Sequence, residues 1–404
     1  MDKKTMKRIY FSALACLVLS AAFLPSAWAN HRTGSIIAPE LLVAGDFNQD
    51  GKMDLAVNCT GFDVVAILFG DGQGGMTLGG HFPVDTLSKG LQVGDVDRDG
   101  HLDLVNCANW GYDEAVLLGD GLGAFHRASP PTEIDGDGEP VRLLLRDFNN
   151  DNKLDIAVNA PDDDKVVLYF GDGKGNFPGP DIEIEGVQQP YGMDAGDFNS
   201  DGNLDMAIGG VSPLAGNSKV SILLGDGAGG FRISTFPVND LPSSVKVGDL
   251  NNDGILDVVV AGALPGNTTG NFISTYLGNG RGVFAFKQTI NLGAGNLKGD
   301  IAIGDFNEDG FLDVAYPQTG IQVPHMHSTH VLTFFGNGTG NLVAGPVLTV
   351  GQEPHTVIAV DVNHDGHLDL AATNRTDGTV SVLLGDGHGN FTLSSTTSVL
   401  SPIP

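Results

Sequence analysis

Seven short acidic stretches carry the clearest chemistry in this sequence. They read DFNQDGKMD from Asp46, DVDRDGHLD from Asp95, DFNNDNKLD from Asp147 and DFNSDGNLD from Asp197, then DLNNDGILD from Asp249, DFNEDGFLD from Asp305 and DVNHDGHLD from Asp361. Positions 1, 3, 5 and 9 of each are Asp or Asn. The residues are Asp46, Asn48, Asp50 and Asp54; Asp95, Asp97, Asp99 and Asp103; Asp147, Asn149, Asp151 and Asp155; and Asp197, Asn199, Asp201 and Asp205. They continue as Asp249, Asn251, Asp253 and Asp257; Asp305, Asn307, Asp309 and Asp313; and Asp361, Asn363, Asp365 and Asp369. A tight turn brings such side chains together as a hard oxygen donor set. That suits Ca²⁺, which takes six to eight oxygens. No thiolate or imidazole stands at these positions, which argues against zinc or copper. Two carboxylates about 4 Å apart repel by about 4 kcal/mol at an effective dielectric near 20. The clusters therefore call for a cation, and up to seven Ca²⁺ are expected. An EF-hand needs a Glu at position 12 and flanking helices, whereas position 12 of the first stretch is Val57, inside a strand-like run. In the third stretch Asn152 replaces the usual glycine; Asn tolerates a left-handed backbone, so weaker binding is expected there.

The elements that position these loops follow from the period. The stretches recur at 49, 52, 50, 52, 56 and 56 residues, and a fixed period marks a repeat architecture. Each is followed by a glycine turn such as LFGDGQGGM or LLGDGHGNF. Between them lie short runs rich in β-formers, exemplified by Leu41–Ala44, Leu55–Val57, Val64–Phe69 and Met76–Val84. Each unit therefore reads as four strands, A to D, and the fold class as all-β, a seven-bladed β-propeller of four-stranded antiparallel blades with Ca-binding A–B loops. Blades are expected to start near residues 40, 89, 140, 190, 243, 298 and 354, within a single propeller over 30–404. Closure needs only blade 7 against blade 1, with a strand swap from residues 31–38 left open. The glycine turns are expected to supply positive φ for tight hairpins. No helix follows them, so phosphate-loop chemistry is excluded.

The acidic loop paired with a G-[DN]-G-x-G turn resembles the FG-GAP/VCBS repeat family, which includes the propeller of integrin α-chains and many exported bacterial proteins. The resemblance covers about 360 residues. It implies that position 7 lends its carbonyl to the metal, and that partners bind on the face made by the B–C and D–A loops. On that face lie Phe62 and Asp63; Asn109, Trp110, Tyr112 and Asp113; Asp162, Asp163 and Asp164; and Tyr191, Phe272 and Tyr316. Of these, Trp110, Tyr112, Tyr191, Phe272 and Tyr316 are the candidate ligand-binding aromatics. A histidine-bearing loop, PQTGIQVPHMHSTH, adds His325, His327 and His330, with His355 expected beside it. Together they could hold a transition metal or form a solvated polar loop.

Composition sets the remaining bounds. The 404 residues carry 21 Lys+Arg against 49 Asp+Glu, a net charge of −28, which repels phosphate and excludes a basic nucleic-acid binder. Lys3, Lys4, Lys7 and Arg8, the apolar run Ile9–Leu24 and Ala27-Trp28-Ala29 read as a signal peptide over 1–29, cleaved after Ala29. The expected location is secreted, periplasmic or cell-surface, with no later membrane span and a monomeric state. Removing that segment leaves a net charge of −31, which seven Ca²⁺ would bring to −17. Cys59 and Cys107 end B strands at opposite parity from the position 9 Asp. They either face one another across the blade 1–2 gap, where a bridge could form, or point apart. The leading expectation for function is a binding or adhesion module for a protein or glycan. A polysaccharide lyase or hydrolase is the alternative, and a scaffold with no ligand beyond calcium is a third. No nucleophile elbow or HExxH motif stands out, and the carboxylates are committed to the loops, so no catalytic pair can be chosen.

Overall fold

The computed structural model describes residues 38–84, 88–108, 115–129, 142–179, 181–212, 216–238, 241–263, 270–293, 299–319, 321–322 and 326–400. They form seven four-stranded antiparallel sheets, six of them built from strands consecutive in sequence. Blade 1 runs Pro39–Gly45, Asp54–Cys59, Val64–Gly70 and Met76–Pro83. Blade 7 runs Pro354–Val360, Asp369–Asn374, Thr379–Gly385 and Phe391–Ser398. The A strands of the intervening blades begin at Ser88, Leu143, Pro190, Pro242 and Ala302. In blade 6 a two-residue hairpin, Ile321–Gln322 with Met326–His327, projects from the B–C loop as a separate small sheet. The one short helix among the described residues is a 3-10 turn at Pro161–Asp163. No described helix is long and apolar enough to cross a membrane.

The B strands explain why the sheets must stack. In blade 1 every residue of Asp54–Cys59 is buried, because both faces of the sheet are covered. Alternate residues then serve different neighbours. Val57 and Cys59 pack with Val380 and Val382 of blade 7, whereas Ala56 packs with Leu91 and Leu104 of blade 2. Among the described residues there are seven such apolar clusters, one for each pair of adjacent blades, and the cluster between blades 7 and 1 closes the ring. The outer D strands alternate outward, as in Phe391–Ser398, because solvent covers one side of them.

Blade 7 supplies all four of its own strands; residues 31–37 of the segment for which a swap was left open lie outside the described residues. The join is held by side chains. Ser395 and Thr397 donate to the carbonyls of Gly74 and Met76 at 2.8 and 3.2 Å. His81 Nε2 lies 2.7 Å from the Val399 carbonyl.

The cysteines settle by the same alternation. Cys59 points into the blade 7–1 cluster and Cys107 into the blade 2–3 cluster. They face apart, and both are buried and outside any disulfide. Burial pushes the Cys59 thiol up to about 12, so it behaves as a small apolar side chain.

Candidate metal-binding loops

Each acidic loop is organised by its own carboxylates. In the first, Asp46 accepts from the Asp50 amide through Oδ1 and from the Gly51 amide through Oδ2, at 3.1 and 2.9 Å. Asn48 Oδ1 also accepts from the Asp50 amide at 3.0 Å, and Asp50 Oδ1 accepts from the Lys52 amide at 3.0 Å. The turn needs two left-handed residues. Position 6 is glycine in six loops; in the third, Asn152 takes it at φ 62°, as the sequence led us to expect. Position 4 is left-handed in all seven loops and is never glycine: Gln49, Arg98, Asn150, Ser200, Asn252, Glu308 and His364 lie at φ 55–65°. This was not legible from the sequence, because those seven side chains share no chemistry.

Position 9 is the most regular feature of the molecule. Asp54, Asp103, Asp155, Asp205, Asp257, Asp313 and Asp369 are all fully buried. In every blade Oδ2 accepts from the position 2 amide at 2.8–3.0 Å. Oδ1 accepts from the amide of the first glycine of the glycine turn at 2.8–2.9 Å. One carboxylate thus ties the acidic loop to the glycine turn. Burial pushes six of these carboxyls up to about 6, with neighbouring loop carboxylates adding to the rise against the two amides. Asp369 moves the same way.

That bond also explains the first glycine of each turn. It does not itself have positive φ; the positive φ expected of the turn comes from Gly72 and Gly74, at 75° and 88°. A Cβ on Gly70 would lie 2.1 Å from the Met53 carbonyl oxygen, and the equivalent glycines meet the position 8 carbonyl at 2.2–2.4 Å. Glycine is required there for close approach. The aromatic that opens several D strands has a partner in the preceding blade. Phe125 meets Phe47 edge-on at 5.7 Å, Phe284 meets Phe198 at 5.4 Å and Phe391 meets Phe306 at 5.8 Å. Loop and turn motifs therefore recur together because each interface packs one against the other.

The loops differ in what faces their carboxylates. Lys52 and Lys153 fold back onto Asp50 and Asp151 at 3.1 and 2.9 Å. In the last four loops the position 3 amide group donates to the position 5 carboxylate, as Asn199 does to Asp201 at 2.9 Å. The second loop has no such donor. Asp95, Asp97 and Asp99 each bring an oxygen within 4.8 Å of the others, and burial with the neighbouring acids pushes Asp97 up. In the seventh loop Asp361 Oδ1 is buried without a hydrogen-bond partner. An oxygen-only donor set with an orphaned carboxylate oxygen fits a hard cation.

The opposite face is less uniform. Tyr191 is 39% exposed. Phe272 and Tyr316 are fully buried in the blade 4–5 and 5–6 clusters, so neither presents a ring to a partner; their flanking loop residues placed them on the surface by sequence, but the blade 5 C strand already starts at Asn271 and the blade 6 B strand runs on to Pro317. Phe62, Asp63 and Asp164 are at least partly exposed, Asp63 and Asp164 at φ 53°. Asn109, Trp110, Tyr112, Asp113, His325 and the side chain of His327 lie outside the described residues. His330 begins the C strand of blade 6. His355 is buried and turned towards blade 1, with Nδ1 3.0 Å from the Glu40 carbonyl oxygen. Burial pushes its imidazole down to about 4, which suits a neutral packing residue at the ring closure.

Comparison with known proteins agrees with this geometry. Residues 46–106, 147–208 and 212–260 match the FG-GAP-like repeat model. No curated protein matches the sequence. Among solved structures, the chain is similar to Kuenenia stuttgartiensis hydrazine synthase at TM-score 0.62 and 12% identity, over 90% of this chain and 99% of that one. A putative 6-phosphogluconolactonase from Bacteroides fragilis aligns at 0.55 and 12%, over 93% and 97%. A functionally unknown protein from Desulfotomaculum acetoxidans aligns at 0.51 and 12%, over 80% and 91%. At such identity the likeness is one of fold alone. The chain carries FG-GAP-like repeats in three stretches, on a seven-bladed β-propeller.

Proposed function

We propose that this protein is an exported, calcium-stabilised binding module of the adhesion type, which recognises a protein or glycan through its B–C and D–A loops. The observation that carries the calcium reading is the sevenfold recurrence of one oxygen donor set, including the partnerless Asp361 Oδ1. Where donors fit a cation, Asp and Asn at positions 1, 3 and 5 would hold it. The position 9 Asp supports the loop through its two amides and has lone pairs remaining for the ion. The ion would remove carboxylate repulsion and fix the two left-handed residues of each loop. The second loop, with a carboxylate at position 3, is the strongest site, because affinity rises with ligand charge. The binding reading rests on an FG-GAP propeller supporting a generic binding module, and on recognition residing in variable loops.

Two measurements test this. Chelation with EDTA is expected to lower the melting temperature of the mature chain by more than 10 °C, reversed by added Ca²⁺; an unchanged transition refutes structural calcium. A glycan array and a screen of extracellular matrix proteins are expected to give a ligand whose binding shifts Trp110 fluorescence. Binding that survives Trp110→Ala and Tyr191→Ala together excludes the proposed face.

A further inference from the structure

Acid is spread through the repeats of this chain except in one sector. None of its 49 Asp+Glu stands between Asp257 and Asp300, or between Asp313 and Glu353. Those two runs hold the C and D strands of blades 5 and 6, Asn271–Gly278, Phe284–Gly293, His330–Gly336 and Leu342–Thr349. The glycine turns between them have lost their charge while keeping their bonds. Five blades carry Asp at the turn: Asp71, Asp120, Asp172, Asp226 and Asp386. Asp71 Oδ1 accepts from the amides of Gln73 and Gly75 at 2.7 and 2.9 Å. Blades 5 and 6 carry Asn279 and Asn337 instead. Asn279 Oδ1 accepts from the amides of Arg281 and Val283 at 3.0 and 3.3 Å, and Asn337 Oδ1 from that of Thr339 at 3.1 Å. The amide carbonyl does the same backbone work as the carboxylate without its charge.

The same sector exposes apolar side chains. Val283, Phe286, Val343 and Val347 are 59, 63, 57 and 59% exposed. They lie on neighbouring strands, because the D strands of blades 5 and 6 are joined through Gln288. Its Oε1 accepts from the Leu342 amide at 2.7 Å, and its Nε2 donates to the Leu342 carbonyl at 3.2 Å. Phe286 stands two residues before Gln288, and Val343 one after Leu342. Exposed apolar residues scattered singly mean little, but grouped on two adjoining strands they mark a contact surface. The only Lys or Arg in these strands and turns are Arg281 and Lys287.

We propose that the outer rim of blades 5 and 6 is where two copies of this chain pair about a twofold axis, Val283, Phe286, Val343 and Val347 of each copy meeting those of the other. This replaces the monomer expected from sequence and is independent of the calcium reading. Charge selects the occupant. Two copies of net charge −28 repel, and like charges brought together across an interface cost affinity. A face without acid lets them touch, and a twofold pair needs one such face, used by both copies. An acidic foreign partner would find two cations there, Arg281 and Lys287. A flat anionic lipid surface reaching Val283 would also meet the acidic loop of blade 5, which Asp257 ties to the same turn.

The test is sedimentation velocity on the purified chain from about 1 to 100 μM, where a dimer is expected with a Kd of about 10 μM or tighter. Asn279→Asp with Asn337→Asp restores the turn residue of the other blades. It should keep the melting temperature and weaken the dimer at least tenfold, more at low salt than at high. Val343→Asp with Val347→Asp should leave a monomer throughout. Leu122→Asp, at a 79% exposed apolar residue of blade 2 across the ring, should leave the Kd unchanged. The same samples are floated with phosphatidylcholine–phosphatidylglycerol vesicles, and the wild type should stay in the soluble fraction. A wild type that is monomeric at about 100 μM overturns the proposal. So does a dimer whose Kd survives both double substitutions, or one that Leu122→Asp dissociates. Flotation that Val343→Asp with Val347→Asp removes would assign the patch to lipid and overturn it as well.

Discussion

The two faces of the ring obey different rules. On the side of the A–B loops, one carboxylate per blade makes the same two bonds seven times, and one glycine per blade occupies the same confined space. On the side of the B–C loops, blade 3 has a 3-10 turn, blade 6 a small extra hairpin and blade 7 a four-residue turn. The first side is governed by backbone geometry, which tolerates few side chains. The second has no such constraint, so its residues are available for recognition. The difference teaches where repetition ends and individuality starts within one sheet.

Substitutions can sharpen this contrast. The largest effect is expected for Gly70→Ala, whose Cβ would strike the Met53 carbonyl. It should cost more than about 3 kcal/mol in a urea melt, whereas Gly186→Ala, in open space at φ 86°, should cost about 1 kcal/mol. Next, Asp155→Ala strands two buried amides and should cost about 2–4 kcal/mol. A loss below 1 kcal/mol would show that the carboxylate does not tie loop to turn.

His355 gives a pH-dependent effect on the other side. Burial, with Arg142 and Arg375 nearby, outweighs Glu40 and holds the imidazole at about 4 in the fold. The unfolded chain takes up the proton first, near pH 6.5. The contribution is therefore complete above about pH 6.5 and is lost as pH falls towards 4. Urea midpoints of the wild type should decline more steeply over that window than those of His355→Gln; parallel curves would remove His355 from the account. The smallest effect is expected for Tyr191→Ala, within about 0.5 kcal/mol of wild-type stability while weakening partner binding.

Much of the fold was legible because its signals repeat. Any single acidic loop would be ambiguous, but seven at a near-constant period leave one architecture. The alternation of Val57 and Cys59 against Ala56 follows from strand geometry once the blades are placed. What stayed hidden lacked a residue signature. The left-handed position 4 is occupied by seven side chains of differing chemistry. The burial of Phe272 and Tyr316 depends on where loops hand over to strands, which spacing fixes only to a few residues. The space between the innermost strands is lined by Arg142, Lys246 and Asp300 from three different blades, and no local pattern joins them.

The core clusters have a final consequence. Each is shared by two blades, and none belongs to one blade alone. A single excised repeat would carry half of two unfinished interiors and should not fold, whereas the join between the last blade and the first uses the same kinds of contact as the other six. The circle accordingly has no seam distinguished by its packing. A permuted chain that opens between blades 4 and 5 and links residue 400 to residue 38 through a flexible spacer should assemble the same ring.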